Sequence, residues 1–164
     1  MPFEKHELTV LAGVDKALAG LSACRGWGVL KNPEYRTALI MIACHESWFG
    51  KVNKQIKGPA LSAFMIEPRT YNDIQNNVVW ANDQLRAALR NIYGIKTIMS
   101  LETDVGYAAA CAALQVGRFR NIEPLPKTDK EIAVWLKKRY NSAGGKATAE
   151  EYLNDYNRLY KNRT

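Results

Sequence analysis

The fold is decided by a run of seven apolar residues, Ala38-Leu39-Ile40-Met41-Ile42-Ala43-Cys44. The run is too short to span a bilayer. Because it is apolar on every side, it predicts a helix buried in the middle of a domain. Asn32-Pro33-Glu34 precedes it as a helix start, with a capping side chain, a first-turn proline and an acid near the positive dipole end. His45-Glu46-Ser47 follows at once, and polar residues at the end of a buried helix need a reason.

Helical signals continue on both sides of this segment. Apolar residues at helical spacing predict helices at residues 7–24, 67–79, 83–91 and 104–116, and two capping boxes predict helices at 128–144 and 148–160. Gly58 and Pro59 indicate a turn. The sequence therefore predicts a mostly α fold of about seven helices, with at most a small β element near residues 51–66.

Length and composition fit one globular unit. The chain has 164 residues, of which 47% are hydrophobic and 24% charged. It shows no repeat, low-complexity tract or linker, so residues 1–164 are predicted to form a single domain. The net charge of +7 favours a polyanionic partner, such as nucleic acid, teichoic acid, lipopolysaccharide or anionic peptidoglycan, without choosing among them.

The cysteines and histidines are too few and too widely spaced to indicate a disulfide framework or a metal site. Cys24, Cys44 and Cys111 are widely spaced, odd in number and form no CxxC pair. They are predicted to be small core residues of a protein made in a reducing cytosol. With His6 and His45 as the only histidines, no metal site is predicted, and nothing in the sequence calls for a cofactor.

Glu46 is the main candidate for catalysis. A carboxyl group at the end of an apolar helix is partly desolvated, which raises its pKa. A carboxylic acid that stays protonated near neutral pH can donate a proton to a glycosidic oxygen. The alternative from position alone is a solvated residue at a helix end.

Three motifs in order favour the catalytic interpretation. Residues 42–47, with His45-Glu46-Ser47, resemble the Glu-Ser motif of lysozyme-like lytic transglycosylases and goose-type lysozymes. Residues 58–70 resemble their second motif, usually Gly-Leu-Met-Gln followed by Pro and Thr, and residues 139–145 resemble their third, a Tyr-Asn-(small)-Gly segment after a helix. The resemblance covers about residues 35–160, and the part from Glu123 to Tyr156 is similar to a phage-encoded branch of this superfamily.

The resemblance implies a lysozyme-like domain that cleaves the β-1,4 bond between N-acetylmuramic acid and N-acetylglucosamine in peptidoglycan. Glu46 would act as general acid and then as general base. Phe64, Met65 and Ile66 would line the wall opposite Glu46. The substrate-binding residues that it implies are Ser47, Phe64, Met65, Tyr140 and Asn141, with Tyr140 and Asn141 holding Glu46 or the sugar.

The second motif departs from the family pattern at two places. Met65 stands where those families usually carry Gln, so a polar contact with the sugar is in doubt. Ser62-Ala63 stands where Gly-Leu is usual, which narrows the expected cleft.

Glu67 bears on the reaction class. One interpretation is a first-turn acid beside Pro68, stabilised by the helix dipole. The other is a second carboxylate across the cleft from Glu46, as in goose-type lysozymes, where it is thought to position water; Asp73 is a weaker candidate for that role. A lytic transglycosylase needs a single carboxylate and leaves 1,6-anhydro ends. The phage-type resemblance and the third motif favour this reaction, with a hydrolytic muramidase using Glu46 and Glu67 as the alternative.

Other residues near the motifs receive weaker predictions. The aromatic residues that are candidates for stacking on sugar rings, although more typical of a core, are Trp48, Phe49, Trp80 and Tyr107. His45 is given no catalytic role, because neighbours on a helix do not face each other.

Two further classes stay open. One is a catalytically inactive lysozyme-like part of a phage particle, since fold does not imply function. The other is a basic nucleic-acid-binding helical domain, but no helix-turn-helix or arginine-rich segment is evident. Nucleic acid is therefore not predicted as a partner. We expect a monomer that binds peptidoglycan glycan strands.

The expected location follows from the phage-type resemblance. The chain would be made in the host bacterial cytoplasm before release to the cell wall, or would be carried in the virion. Met1 to His6 carries both signs of charge, and no signal-type apolar core follows. The sequence therefore predicts neither a signal peptide nor stable membrane insertion.

Overall fold

The computed structural model describes residues 1–141 and 145–164, and this part of the chain contains eight α-helices and no β-strand. The predicted mostly α class is confirmed. The helices are α1 (Lys5–Ser22), α2 (Pro33–Ser47), α3 (Pro68–Ile74), α4 (Asp83–Tyr93), α5 (Ser100–Thr103), α6 (Val105–Gly117), α7 (Asp129–Arg139) and α8 (Ala149–Leu159). A π-helical turn, Gln75–Val79, continues α3, and 3-10 turns cover Gly28–Lys31 and Lys161–Arg163. Residues 142–144 of the third motif lie outside the described residues.

Side-chain caps begin three of the helices where the sequence predicts them. The hydroxyl groups of Thr128 and Thr148 accept hydrogen bonds from the backbone N–H groups three residues on, at 3.3 and 3.1 Å, and Asp104 caps α6 in the same way. Asn32 makes no such bond, so its predicted capping role is wrong, and Pro33 alone marks the start of α2. The four-residue helix α5 was not predicted, because it is too short to show an apolar period.

The predicted β element is reduced to two isolated bridges, Lys54 with Leu61 and Leu61 with Ile66. The backbone N–H groups of Leu61 and Ile66 donate to each other's carbonyl groups at 2.9 and 2.8 Å. This exchange closes a tight turn inside the segment of residues 51–66, which we call the cleft loop. It brings the second motif back beside the end of α2.

Helix α2 lies at the centre of the core, as its apolar run predicts. Every residue from Ala38 to Cys44 is at most 1% exposed, and α2 packs against α1, α6, α7 and α8. The three cysteines are free and buried, as predicted. Burial on all sides fixes the position of α2, and therefore the position of the residues at its end.

The chain reverses directly after α2 through a left-handed turn. Trp48, Phe49 and Gly50 have φ values of 52°, 60° and 86°, and the Phe49 side chain is fully buried. The Ser47 hydroxyl holds this turn, because it donates to the Ala43 carbonyl at 2.9 Å and accepts from the Gly50 N–H at 2.8 Å. The turn therefore ends α2 one residue after Glu46.

We expect Gly50→Ala to destabilise the protein by about 1–3 kcal/mol. The added Cβ would overlap the Val10 side chain and lie 3.2 Å from the His6 carbonyl oxygen, at a φ that only glycine adopts without cost. Thermal unfolding would measure the loss. Gly28→Ala is the matched control, since nothing lies within 4 Å of its Cβ position. Equal midpoints for the two variants would contradict this account of the turn.

Candidate active site

The cleft that Glu46 lines has a volume of about 940 Å³. It lies between the end of α2, the cleft loop with the start of α3, and the segment that follows α7. The three motifs therefore meet at one place, although they are far apart in sequence. The motif residues that line the cleft are Glu46, Met65, Ile66, Glu67, Tyr140 and Asn141.

Glu46 lies half-buried in the cleft wall. Its Oε1 accepts a hydrogen bond of 2.8 Å from the Tyr152 hydroxyl. Burial raises the pKa of Glu46, and the hydrogen bond from Tyr152 and the charge of His45 act in the opposite direction with smaller effect. The carboxyl group therefore keeps its proton to a higher pH than an ordinary glutamate, as a general acid requires.

Tyr152 on α8 is the site residue that the sequence analysis missed. It has the spacing of an apolar core residue, and its ring is fully buried. Burial and the neighbouring Glu46 both raise the pKa of Tyr152, so its hydroxyl remains a donor. The sequence does contain a signal for this role, because Tyr152 is a tyrosine at a core-facing position of a helix. A buried hydroxyl normally needs a hydrogen-bond partner.

Tyr140 and Asn141 line the cleft, but neither is the residue that holds Glu46. The Tyr140 hydroxyl donates to the Phe64 carbonyl at 2.6 Å, which ties the end of α7 to the cleft loop. Asn141 Oδ1 accepts from Lys137 Nζ at 3.1 Å. Tyr152 therefore holds Glu46. Contact with a sugar remains the predicted role of Tyr140 and Asn141.

Ser47 and Phe64 require correction as substrate-binding residues. The Ser47 side chain is 1% exposed and is occupied by the turn after α2. The Phe64 side chain is fully buried, because Ser62, with a φ of 78°, turns the cleft loop inward there. Neither side chain is accessible to a ligand. Met65 is half-buried and lines the cleft as predicted.

Glu67 lies exposed on the cleft rim at the start of α3. It occupies the N-cap position but makes no capping hydrogen bond, so its carboxylate is not used by the helix. Asp73 instead pairs with Arg118 and Asn77 and lines a separate depression of about 680 Å³. Of the two carboxylates considered beside Glu46, only Glu67 shares its cleft.

The candidate stacking residues divide by exposure. Phe49 and Tyr107 are buried in the core. Trp48 and Trp80 are 53% and 66% exposed, but only Trp48 lines the cleft with Glu46. Trp80 instead packs under the Arg86 guanidinium. Trp48 is therefore the aromatic ring, among these four, that a sugar in this cleft can reach.

Backbone strain concentrates around the same cleft. The non-glycine residues with positive φ in the described part of the chain are Trp48, Phe49, Ser62 and Met65. The first two follow Ser47 at the end of α2, and the other two belong to the cleft loop. Such conformations are kept where the surrounding structure enforces them, and they cluster at functional sites.

Comparisons of the chain with known protein families, curated protein sequences and solved structures find no match. Among the described residues, no group of three or more histidine, cysteine, aspartate or glutamate side chains could hold a metal ion. No described helix combines the length and apolar character needed to cross a membrane. The geometry of the cleft and the three motifs are therefore the features that point to a function.

We expect Tyr152→Phe to raise the pKa of Glu46 further. The substitution keeps the ring, and therefore the burial of the carboxyl group, but removes the hydrogen bond that favours its ionised form. Titration of the glutamate side-chain carbons by NMR measures the shift.

Tyr156→Phe is the matched control for this experiment. Tyr156 is also a buried tyrosine of α8, but its hydroxyl is hydrogen-bonded to Thr37. An unchanged Glu46 titration in Tyr152→Phe, or an equal shift in both variants, would refute the role given to the Tyr152 hydroxyl.

Proposed function

We propose that this protein cleaves the glycan strands of peptidoglycan, with Glu46 as the general acid. The observation that carries the proposal is a half-buried carboxyl group in this cleft, with a raised pKa and a hydrogen bond from a buried tyrosine hydroxyl. A protonated carboxyl group next to a glycosidic oxygen is the central requirement of glycosidic cleavage.

The charge of the cleft supports a peptidoglycan strand as the substrate. Glycan strands of the cell wall carry carboxylates on their stem peptides and on those muramic acids that bear no stem peptide. Four basic side chains line the cleft with Glu46: Lys57, Lys146, Lys54, which lies 3.8 Å from Glu102, and Arg139, which pairs with Glu123. The exposed Trp48 ring adds a surface on which a sugar can stack.

The backbone of the cleft loop supports the motif resemblance. Ser62 stands where the lysozyme-like families usually carry glycine, and its φ of 78° lies in the region that favours glycine. The local conformation expected at that motif position is therefore present, although the side chain differs.

In the proposed reaction, Glu46 donates its proton to the oxygen that leaves C1 of N-acetylmuramic acid, and the C1–O bond breaks. The resulting Glu46 carboxylate then takes the proton of the muramic acid 6-hydroxyl, whose oxygen bonds to C1. The products are a strand with a 1,6-anhydro end and a strand with a free 4-hydroxyl, and no water is consumed. Tyr152 stabilises the carboxylate between the two steps.

A hydrolytic muramidase is the second candidate, because Glu67 lines the same cleft without a capping role. In that reaction a water molecule replaces the 6-hydroxyl, and Glu67 orients the water or stabilises the cationic sugar.

The nucleic-acid alternative has less support. Five basic side chains on the helices and at the C-terminal turn form ion pairs with an aspartate or glutamate: Arg86, Lys138, Arg139, Lys161 and Arg163. Such pairing weakens the positive electrostatic potential that would attract the phosphate backbone of a nucleic acid.

From the phage-type resemblance, we propose that the protein is made in the cytoplasm of the host bacterium. It would reach the cell wall either at lysis or from the virion. An assay of purified phage particles for this chain separates the two routes.

We expect Glu46→Gln to abolish wall cleavage, with a loss of at least about 10²-fold. Glutamine keeps the acceptor oxygen for Tyr152 but cannot donate an acidic proton. The folded-state pKa of Glu46 is raised, so the ionised group costs stability as the pH rises through that pKa. The variant should therefore melt at the same temperature as the wild type, or slightly higher, at neutral pH.

Turbidity loss of purified cell walls and thermal unfolding test this prediction together. Glu150→Gln, an exposed first-turn residue of α8, is the control and should retain activity. Near-normal cleavage by Glu46→Gln would remove Glu46 from the mechanism.

We expect digested peptidoglycan to carry 1,6-anhydro ends, which weigh one water less than reducing ends. Mass spectrometry of the muropeptides measures this, and Glu67→Gln should still cut. Reducing ends alone, together with an inactive Glu67→Gln, would establish hydrolysis and overturn transglycosylation.

A further inference from the structure

Two parallel contacts join the end of α2 to α8. Tyr152 donates to Glu46 at 2.8 Å, and His45 Nδ1 lies 2.9 Å from Asp155 Oδ2. The rings of His45 and Tyr152 also pack together, with centroids 4.3 Å apart and planes tilted by 41°. Tyr152 and Asp155 lie three residues apart on α8 and so project from the same face. Adjacent residues on α2 are therefore held by neighbouring residues on α8.

This arrangement changes the significance of His45. Sequence position gave it no role, since His45 and Glu46 do not face each other along the helix. In the fold, His45 lines the cleft with Glu46. Its ring packs against the ring of Tyr152, whose hydroxyl binds the Glu46 carboxyl group. The side chains of His45 and Asp155 are only 16% and 26% exposed, so their contact is shielded from solvent on most sides.

We propose that His45, fixed by Asp155, is a positioning residue for Glu46, which deepens the proposed function and rests on it. Its ring supports the Tyr152 ring whose hydroxyl binds the carboxyl group, and in its protonated form it places a positive charge beside that group.

The charge of His45 matters because Glu46 alternates between acid and anion in the proposed reaction. A cationic imidazole stabilises the anion that remains after proton transfer, and Asp155 Oδ2 holds the ring in place through its contact with Nδ1. The same positive charge lowers the pKa of Glu46 and partly offsets the effect of burial. His45 therefore keeps Glu46 from holding its proton too strongly to transfer it.

Other titratable groups face this pair. Arg158 contacts Asp155 at 3.1 Å, and Cys44 precedes His45 on α2. The groups that line the cleft with His45 and Glu46 are Lys54, Lys57, Glu67, Arg139, Tyr140 and Lys146. His45 contacts Tyr152 and Asp155 on α8, so substitutions at His45 and Asp155 isolate its effect.

The test compares His45→Gln with His6→Gln. The two substitutions are chemically identical, they replace the only histidines of the chain, and His6 lies away from the Glu46 cleft. For each variant, peptidoglycan cleavage is followed against pH, and the Glu46 side chain is titrated by NMR. We expect His45→Gln to raise the Glu46 pKa and to move the alkaline limb of the activity profile up by about half a pH unit or more. The rate at saturating substrate should fall more than the Michaelis constant rises, and His6→Gln should match the wild type.

Asp155→Asn provides a second variant, which carries the test if His45→Gln does not fold. It keeps the side-chain shape but removes the carboxylate that holds His45 Nδ1, so the ring should lose its fixed position beside Glu46 and the Glu46 pKa should move in the same direction. An unchanged Glu46 titration and an unshifted alkaline limb in folded variants would overturn the proposal, even if activity fell equally at every pH. If the wild type cuts no peptidoglycan but His45→Gln still shifts the Glu46 titration, the proposed function fails while the coupling between His45 and Glu46 stands.

Discussion

The burial of α2 is the constraint on which the rest of the site depends. A helix that is apolar on every side can only lie at the centre of the core, and its last turn must then emerge beside the surface. Glu46 stands at this point, with its carboxyl group half in the core and half in the cleft. The core therefore fixes the position of the acid and also disfavours its ionised form. The hydroxyl of Tyr152 provides the polar contact that such a group requires.

Strain in the two walls of the cleft follows from this placement. The chain leaves α2 one residue after Glu46, at Ser47, so no further turn of this helix follows the carboxyl group. Ser47 makes the abrupt exit possible by bonding both the helix and the turn. Opposite, the Tyr140 hydroxyl binds the cleft loop at the Phe64 carbonyl. The third motif thereby supports the second, and the site is held by contacts between its walls rather than within one segment.

The sequence predicted those features that depend on local pattern. Apolar spacing and capping residues located seven of the helices, and the apolar run placed α2 in the core. Features that depend on distant partners were missed or misassigned. Tyr152 and Glu46 are 106 residues apart, and helical periodicity says only that Tyr152 faces inward. Ser47 and Phe64 were misassigned because a motif gives the order of residues but not which side chains the backbone turns into the core.

The cleft also bears on the choice between the two proposed reactions. Hydrolysis needs a water held at the face of the sugar, and a water needs polar partners on more than one side. At the motif position where the lysozyme-like families usually carry Gln, this chain presents the apolar side chain of Met65. Glu67, the remaining carboxylate of the cleft, is exposed on the rim. The Met65 thioether cannot hold a water as the amide of Gln could, but it can pack against a sugar ring. It therefore favours attack by the sugar's own hydroxyl, for which one carboxyl group that gives and then takes a proton is sufficient.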